Sequence, residues 1–213
     1  MSEMSNLSDL PEAGTIERLR TYRKTYIAML VSSALSLIAS LVLSIDAMKL
    51  AASPSDKLSC NINSVLSCGT VAKSWQSQLL GFPNSFIGLM TEPVVITVAI
   101  AGLGLVAFPR WFMRVAHLVY GVGLIFAFWL LSQSLFVINA LCPWCLLVTL
   151  STITVFSTIS RVVLLENSWN FAPGRQEKIV AFLDRGWGRV IYTGSYVSII
   201  MVILLKYGNE LFN

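Results

Sequence analysis

The chain has 213 residues, of which 55% are hydrophobic and 12% charged, and its mean hydropathy is +0.72. A soluble domain carries about 25% charged residues, so the composition excludes a water-soluble globule and points to an integral membrane protein. The net charge of +4 sits between apolar stretches and is a topology signal, with no nucleic-acid patch in it.

Residues 1–24 read as a polar N-terminal segment closing on the basic run Arg18, Arg20, Arg23 and Lys24. A membrane span needs about 20 apolar residues, and Thr25–Ile45 supplies the first without a charge, ending near Asp46. It is too long for a signal-peptide core and follows an acidic leader, so it is expected to remain as an uncleaved anchor. An outer segment, 49–85, follows. Within it Val65, Cys68, Ala72, Trp75 and Leu79 recur at helical spacing, which predicts one short amphipathic helix in the membrane interface with Cys68 on its buried face. Asn63 or Ser64 is the expected cap. Cys60 precedes it in the polar Ser59–Asn63 run, within reach of a soluble protein.

Gly81-Phe82-Pro83-Asn84 turns the chain into a second span, read as Phe86–Phe108 and ended by Pro109-Arg110. Val115–Ser160 is charge-free and long enough for two spans: a third ending near Ile138, and a fourth that starts at Cys142-Pro143-Trp144-Cys145. Pro143 suits the first helical turn, where its missing N–H is not needed. Residues 166–189 read as a mixed-charge loop, and Val190–Leu205, of 16 residues, as a shorter fifth span within 190–213. The expected fold is all-α: a four-helix transmembrane bundle over 25–165, a fifth transmembrane helix, and the interfacial helix on the outer face. Alternating the loops puts eleven basic residues on one side and Lys49, Lys57, Lys73 and Lys206 on the other. The positive-inside rule then places the N-terminus in the cytoplasm and all four cysteines at the outer face, where disulfides persist.

The cysteines carry the chemistry. Residues three apart on a helix sit about 5 Å from each other, inside the range a disulfide bridges, so the CxxC at Cys142 and Cys145 has redox spacing. A helix N-terminus favours its thiolate. A zinc site is disfavoured, because structural sites typically space both pairs two to four residues apart, whereas seven residues separate Cys60 from Cys68. No metal site is expected. Two static structural disulfides in a non-enzymatic membrane protein are the rival reading.

Glu92 lies within a span, where an ionisable residue is a functional candidate by default. It is either a source of protons or a neutral or snorkelling carboxyl beside Pro93. His117 starts the third helix far from the cysteines and reads as structural, and Asp46 as an interface residue.

Cys60-Asn61-Ile62-Asn63-Ser64-Val65-Leu66-Ser67-Cys68, then Gly81-Phe82-Pro83-Asn84-Ser85 with Gly88, then Cys142-Pro143-Trp144-Cys145, resembles the vitamin K epoxide reductase family in its bacterial form, over about residues 25–165. In DsbB-type proteins the CxxC comes first, the reverse of the order here. The resemblance implies a four-helix bundle around a quinone, menaquinone or ubiquinone, in a bacterial plasma (inner) membrane. It implies a thiol oxidoreductase that oxidises a DsbA-like or thioredoxin-like partner and so supports disulfide formation in exported proteins. By position, Cys60 takes the partner's attack, the Cys60–Cys68 pair exchanges with Cys142, and Cys145 faces the quinone. Asn84 is the implied polar contact to the quinone, or else a helix cap. Ile87, Leu130 and Trp144 fall where pocket walls stand, or simply pack. Thr149 occupies the position where animal members carry a quinone-contacting tyrosine, which argues against an animal-type epoxide reductase. Recycling of a quinone or its epoxide remains an alternative activity of the same fold. No fused thioredoxin-like domain is recognised, so the partner is expected to be separate.

Overall fold

A computed structural model describes residues 13–53, 58, 60, 61 and 65–211. Among them are α1 (Ala13–Ala52), α2 (Cys68–Ala72), α3 (Ser85–Leu103), α4 (Arg110–Gln133), α5 (Pro143–Leu165), α6 (Pro173–Asp184) and α7 (Trp187–Leu211), and no strand. Five helices are long and apolar enough to cross a membrane: Tyr22–Ala52 of α1, α3, α4 with its extension to Ile138, α5, and Trp187–Gly208 of α7. The chain is an all-α, multi-pass membrane protein.

Bundle order follows from which faces carry small and polar residues. In lipid, helices associate by close packing and hydrogen bonds rather than by the hydrophobic effect. On α1, Ser33, Ser36, Ser40 and Ser44 are buried inside the bundle, while Val31, Leu35, Ile38 and Leu41 face outward. Two of these serines satisfy their hydroxyls one turn back, Ser33 Oγ on Met29 O at 2.8 Å and Ser44 Oγ on Ser40 O at 2.7 Å, which is how a hydroxyl avoids an unmade hydrogen bond in lipid. α1 lies along α3 and α5, and α4 lies along α5. At the α1–α3 seam a Cβ on Gly88 would stand 2.1 Å from Ser40 Oγ, and one on Gly102 would stand 2.3 Å from the Tyr26 ring. Only glycine permits this approach. Half of α5's apolar window is buried, against 6% of that of α7, so α5 is the centre of the bundle and α7 stands at its periphery.

The structure departs from the sequence reading in several places. α1 continues past Asp46 to Ala52. The second span ends at Leu103, five residues early, where Gly104 caps it and Leu105 turns the chain with φ 62°. α4 loosens into a π-helical turn, Ser134–Ile138, closed by Asn139 in the left-handed conformation, which Asn tolerates better than most residues. The freed carbonyls find partners: Ser134 Oγ donates to Ala140 O, while Lys206 Nζ and Tyr207 OH of α7 both donate to Leu135 O. The loop before the last span contains α6, and the last span is longer than its charge-free stretch.

The single interfacial helix is instead two pieces, α2 and a 3₁₀ turn at Trp75–Gln78. Ser67 caps α2 by accepting from Thr70 N at 3.2 Å, while the expected caps Asn63 and Ser64 lie outside the described residues. The break at Lys73-Ser74 rotates the apolar stripe: Cys68 is 1% exposed, whereas Trp75 is 64% and Leu79 44% exposed.

Candidate active site

A main-chain strap sets the site. Leu141 N donates to Val65 O at 2.7 Å and Ser67 N donates to Leu141 O at 3.0 Å, so residues 65–67 lie alongside the residue before Cys142 as a one-residue parallel bridge. Each cysteine that follows the strap, Cys68 and Cys142, opens a helix. Their sulfurs end up 3.4 Å apart and both are buried. Cys60 and Cys68 form a disulfide with Cα atoms 5.6 Å apart, while Cys142 and Cys145 are free thiols. The three buried cysteines pack with Leu50 and Leu58, and Trp144 and Cys145 lean against that cluster.

Cys142 is the N-cap of α5, and its sulfur accepts from Cys145 N at 3.3 Å. Just outside the span, its thiol lies below the ordinary value. The hydrogen bond from the Cys145 side chain is the main cause, the N–H groups of Cys145 and Trp144 add to it, and burial and the Asp46 carboxylate oppose it. A lowered thiol is a thiolate over more of the pH range, and the thiolate is the species that attacks disulfides. Exchange between Cys142 and the Cys60–Cys68 bridge should therefore rise with pH and level off below the pH at which an ordinary thiol, at about 8.5, would. Rapid acid-quench trapping of the mixed disulfide measures this; a plateau at or above the ordinary thiol value would contradict it.

Cys60 is 7% exposed, not open to solvent as its polar neighbourhood led us to expect. Its sulfur lies 3.8 Å from Asp46 Oδ2. As a disulfide sulfur it has no proton to donate, but once the bridge opens Asp46 is an acceptor beside the Cys60 thiol. Asp46, read from sequence as an interface residue, is buried beside this sulfur. The extension of α1 past it, which the sequence reading stopped short of, holds it there.

Below the cysteines the four bundle helices enclose a cavity of about 250 Å³. Asn84, Ile87, Leu130, Cys142 and Cys145 all line it; Trp144 does not, and packs instead against the disulfide cluster. Asn84 stands at the N-cap position of α3 but makes no cap bond. Its Nδ2 donates to Gln76 O at 2.7 Å, and its Oδ1 is buried with no protein partner. A buried amide oxygen without a donor is costly, so this atom marks where a polar ligand group fits. Thr149 lines the cavity too, its hydroxyl turned back to Cys145 O at 3.0 Å.

Glu92 is also on the wall, accepting from Ser36 Oγ at 2.8 Å and from Tyr120 OH at 3.3 Å. Sequence reasoning singled out the carboxyl but not these two donors, which come from α1 and α4; the signal was the serine spacing along α1. His117 is far from this site, stacked on Phe156 with 5.1 Å between ring centroids and bonded to Ser160 at 3.0 Å.

Four cysteines in two pairs, one sulfur of the bridged pair in contact with the CxxC, lie above an apolar intramembrane cavity, an arrangement in which thiol–disulfide exchange can occur. Among curated proteins none matches the sequence. The model of the vitamin K epoxide reductase family matches residues 27–160, which takes in every cysteine, all of α3 and α4 and most of α1 and α5, and the chain belongs to that family of membrane thiol oxidoreductases.

Proposed function

We propose that this protein oxidises the dithiol of an extracytoplasmic DsbA-like or thioredoxin-like partner and hands the electron pair to a membrane quinone. The observation that carries this is the 3.4 Å contact between Cys142 Sγ and the Cys68 sulfur of the Cys60–Cys68 bridge, at the mouth of a cavity that Cys145 lines. The distribution of basic residues, eleven against four, supports an outward-facing site.

Each step conserves electrons. A partner thiolate attacks Cys60, breaking its bond to Cys68, and the partner's second thiol then displaces Cys60 to leave the partner oxidised. The Cys68 thiolate attacks Cys142 of a Cys142–Cys145 bridge, releasing Cys145. Cys60 attacks Cys68 in the resulting mixed disulfide, which restores Cys60–Cys68 and leaves the electron pair on Cys142 and Cys145. That is the pairing present here. Because Cys60 is buried, the first attack requires that it be uncovered by the partner. A quinone in the cavity supplies the exit, taking two electrons and two protons as quinol. Ile87 and Leu130 wall it, Asn84 orients it, and Cys145 faces it.

The test is anaerobic mixing of purified protein with a reduced DsbA-like protein and a soluble menaquinone or ubiquinone analogue, following quinol. Turnover that requires both Cys60 and Cys145 supports the relay. Turnover with dithiothreitol that ignores Cys60 but needs Cys145 would keep the quinone and remove the partner. With no turnover from any donor, the disulfides are static. Asn84→Ala should raise the quinone KM about 10-fold, the equivalent of one hydrogen bond at about 1.4 kcal/mol. Exchange among the cysteines should stay as it was; an unchanged KM would leave Asn84 as packing alone.

A further inference from the structure

Glu92 is 3% exposed within a membrane span, and no described lysine, arginine or histidine pairs with it. A carboxyl taken out of water without a cation is carried as the neutral acid, because the isolated charge costs too much. Its surroundings fit an acid. Ser36 of α1 and Tyr120 of α4 each donate to one oxygen, which leaves the acid's own O–H for the cavity. Thr149 and Thr152 of α5 line the same cavity, hydroxyls and not charges.

Its direction is set by helix geometry. Side chains lean toward the N-terminus of their helix, and α3 begins at Ser85. Glu92 therefore leans back toward Asn84 from about 12 Å deeper along the helix. Ser36, Ser40 and Ser44 repeat every four residues on α1, about 6 Å per step, a gap one water spans. Ser40 lines the cavity, and the Ser44 and Ser85 hydroxyl oxygens lie 2.9 Å apart at the outer end of α3. A file of hydroxyls thus runs from Glu92 to the level of Asn84.

We propose that Glu92 is the proton carrier that completes quinol formation, loaded through this serine file and delivering through cavity water. This rests on the quinone reading above. Where Cys142 reacts as the thiolate, the species that exchanges, it brings no proton, while Cys145 brings one. Cys142 thiolate and Cys145 thiol join as a disulfide and give up two electrons and one proton. Glu92 gives the second proton and becomes a carboxylate, and two electrons and two protons leave on the quinol. The carboxylate regains its proton from the outer face.

Two measurements test this. In quinone-free protein, the infrared carbonyl band of a protonated carboxyl should be present in wild type and missing in Glu92→Gln; a wild type whose Glu92 absorbs as carboxylate overturns the proposal, and this readout asks nothing of turnover. In single-turnover mixing of CxxC-reduced protein with a soluble menaquinone analogue, Glu92→Gln should slow quinol formation by about 10²-fold, the usual worth of a positioned acid. Glu92→Asp should recover part of it, and partner-driven exchange at Cys60–Cys68 should be unaltered. A Glu92→Gln rate within twofold of wild type overturns the proposal while leaving the quinone reading intact; a wild type that reduces no quinone sinks both. Should Glu92→Gln fail to fold, the infrared comparison is made between wild type and isotopically labelled wild type, where an unshifted band overturns the assignment.

Discussion

Cys145→Ser should abolish quinol formation, by at least about 10³-fold as expected for loss of a covalent nucleophile, and should rewire the remaining disulfide. With Cys145 gone, a bond between Cys68 and Cys142 is resolved only by return attack of Cys60. The Cys142 thiolate, 3.4 Å from Cys68, opens the Cys60–Cys68 bridge, so a Cys68–Cys142 fraction with Cys60 as a thiol accumulates beside the original pairing. Mass mapping under non-reducing conditions reads this directly as a Cys68–Cys142 peptide. A Cys60–Cys68 bridge that persists unchanged in the variant, with quinol still formed, would remove Cys145 from the mechanism. The same experiment separates a relay from structural disulfides, because a static Cys60–Cys68 bridge has no reason to change partners when Cys145 is removed.

Gly88→Val should be the most damaging change outside the cysteines. Its Cβ would fall 2.1 Å from Ser40 Oγ and 2.9 Å from Ser40 Cβ, and Ser40 is 1% exposed, so even a rotated hydroxyl leaves the Cβ contact. α1 and α3 must separate. One turn to either side of this contact the same seam is held by Ser44–Ser85 and Ser36–Glu92, so the separation strains both hydrogen bonds and deforms the cavity. Overpacking of this kind costs about 1–3 kcal/mol, and the upper end is expected here. Thermal unfolding in detergent, followed with a thiol-reactive dye, measures it. Pairing Gly88→Ala with Ser40→Gly should recover most of the loss, since the two sites are in contact and couple. A Gly88→Val protein as stable as its parent would mean that the seam is loose.

The spans were legible in the sequence because lipid demands long uncharged stretches, and charge is easy to read. Their ends were less so. α1 outruns Asp46 because one buried acid does not stop a helix that lies against its neighbours, and α3 stops short at Gly104 although the residues beyond remain apolar. Periodicity alone joined α2 to the 3₁₀ turn; it does not register a break that turns Trp75 outward. Of the residues the resemblance pointed to, Asn84, Ile87 and Leu130 line the cavity and Cys142 touches Cys68, whereas Trp144 packs with the disulfide cluster. What no local pattern shows is which residues of separate helices meet. Asp46 beside Cys60, and Ser36 and Tyr120 on Glu92, are contacts between elements 14 to 56 residues apart in the chain.

The strap between residues 65–67 and Leu141 is built from main-chain groups, so the spacing of the two reacting sulfurs is insulated from drift at the side chains that flank them. Val65, Ser67 and Leu141 can be exchanged for residues of similar bulk without cutting either hydrogen bond. Proline is the exception, because at 67 or 141 it deletes a donor. Variation along this stretch can thus change the surface it presents while the spacing of the two sulfurs stays constant.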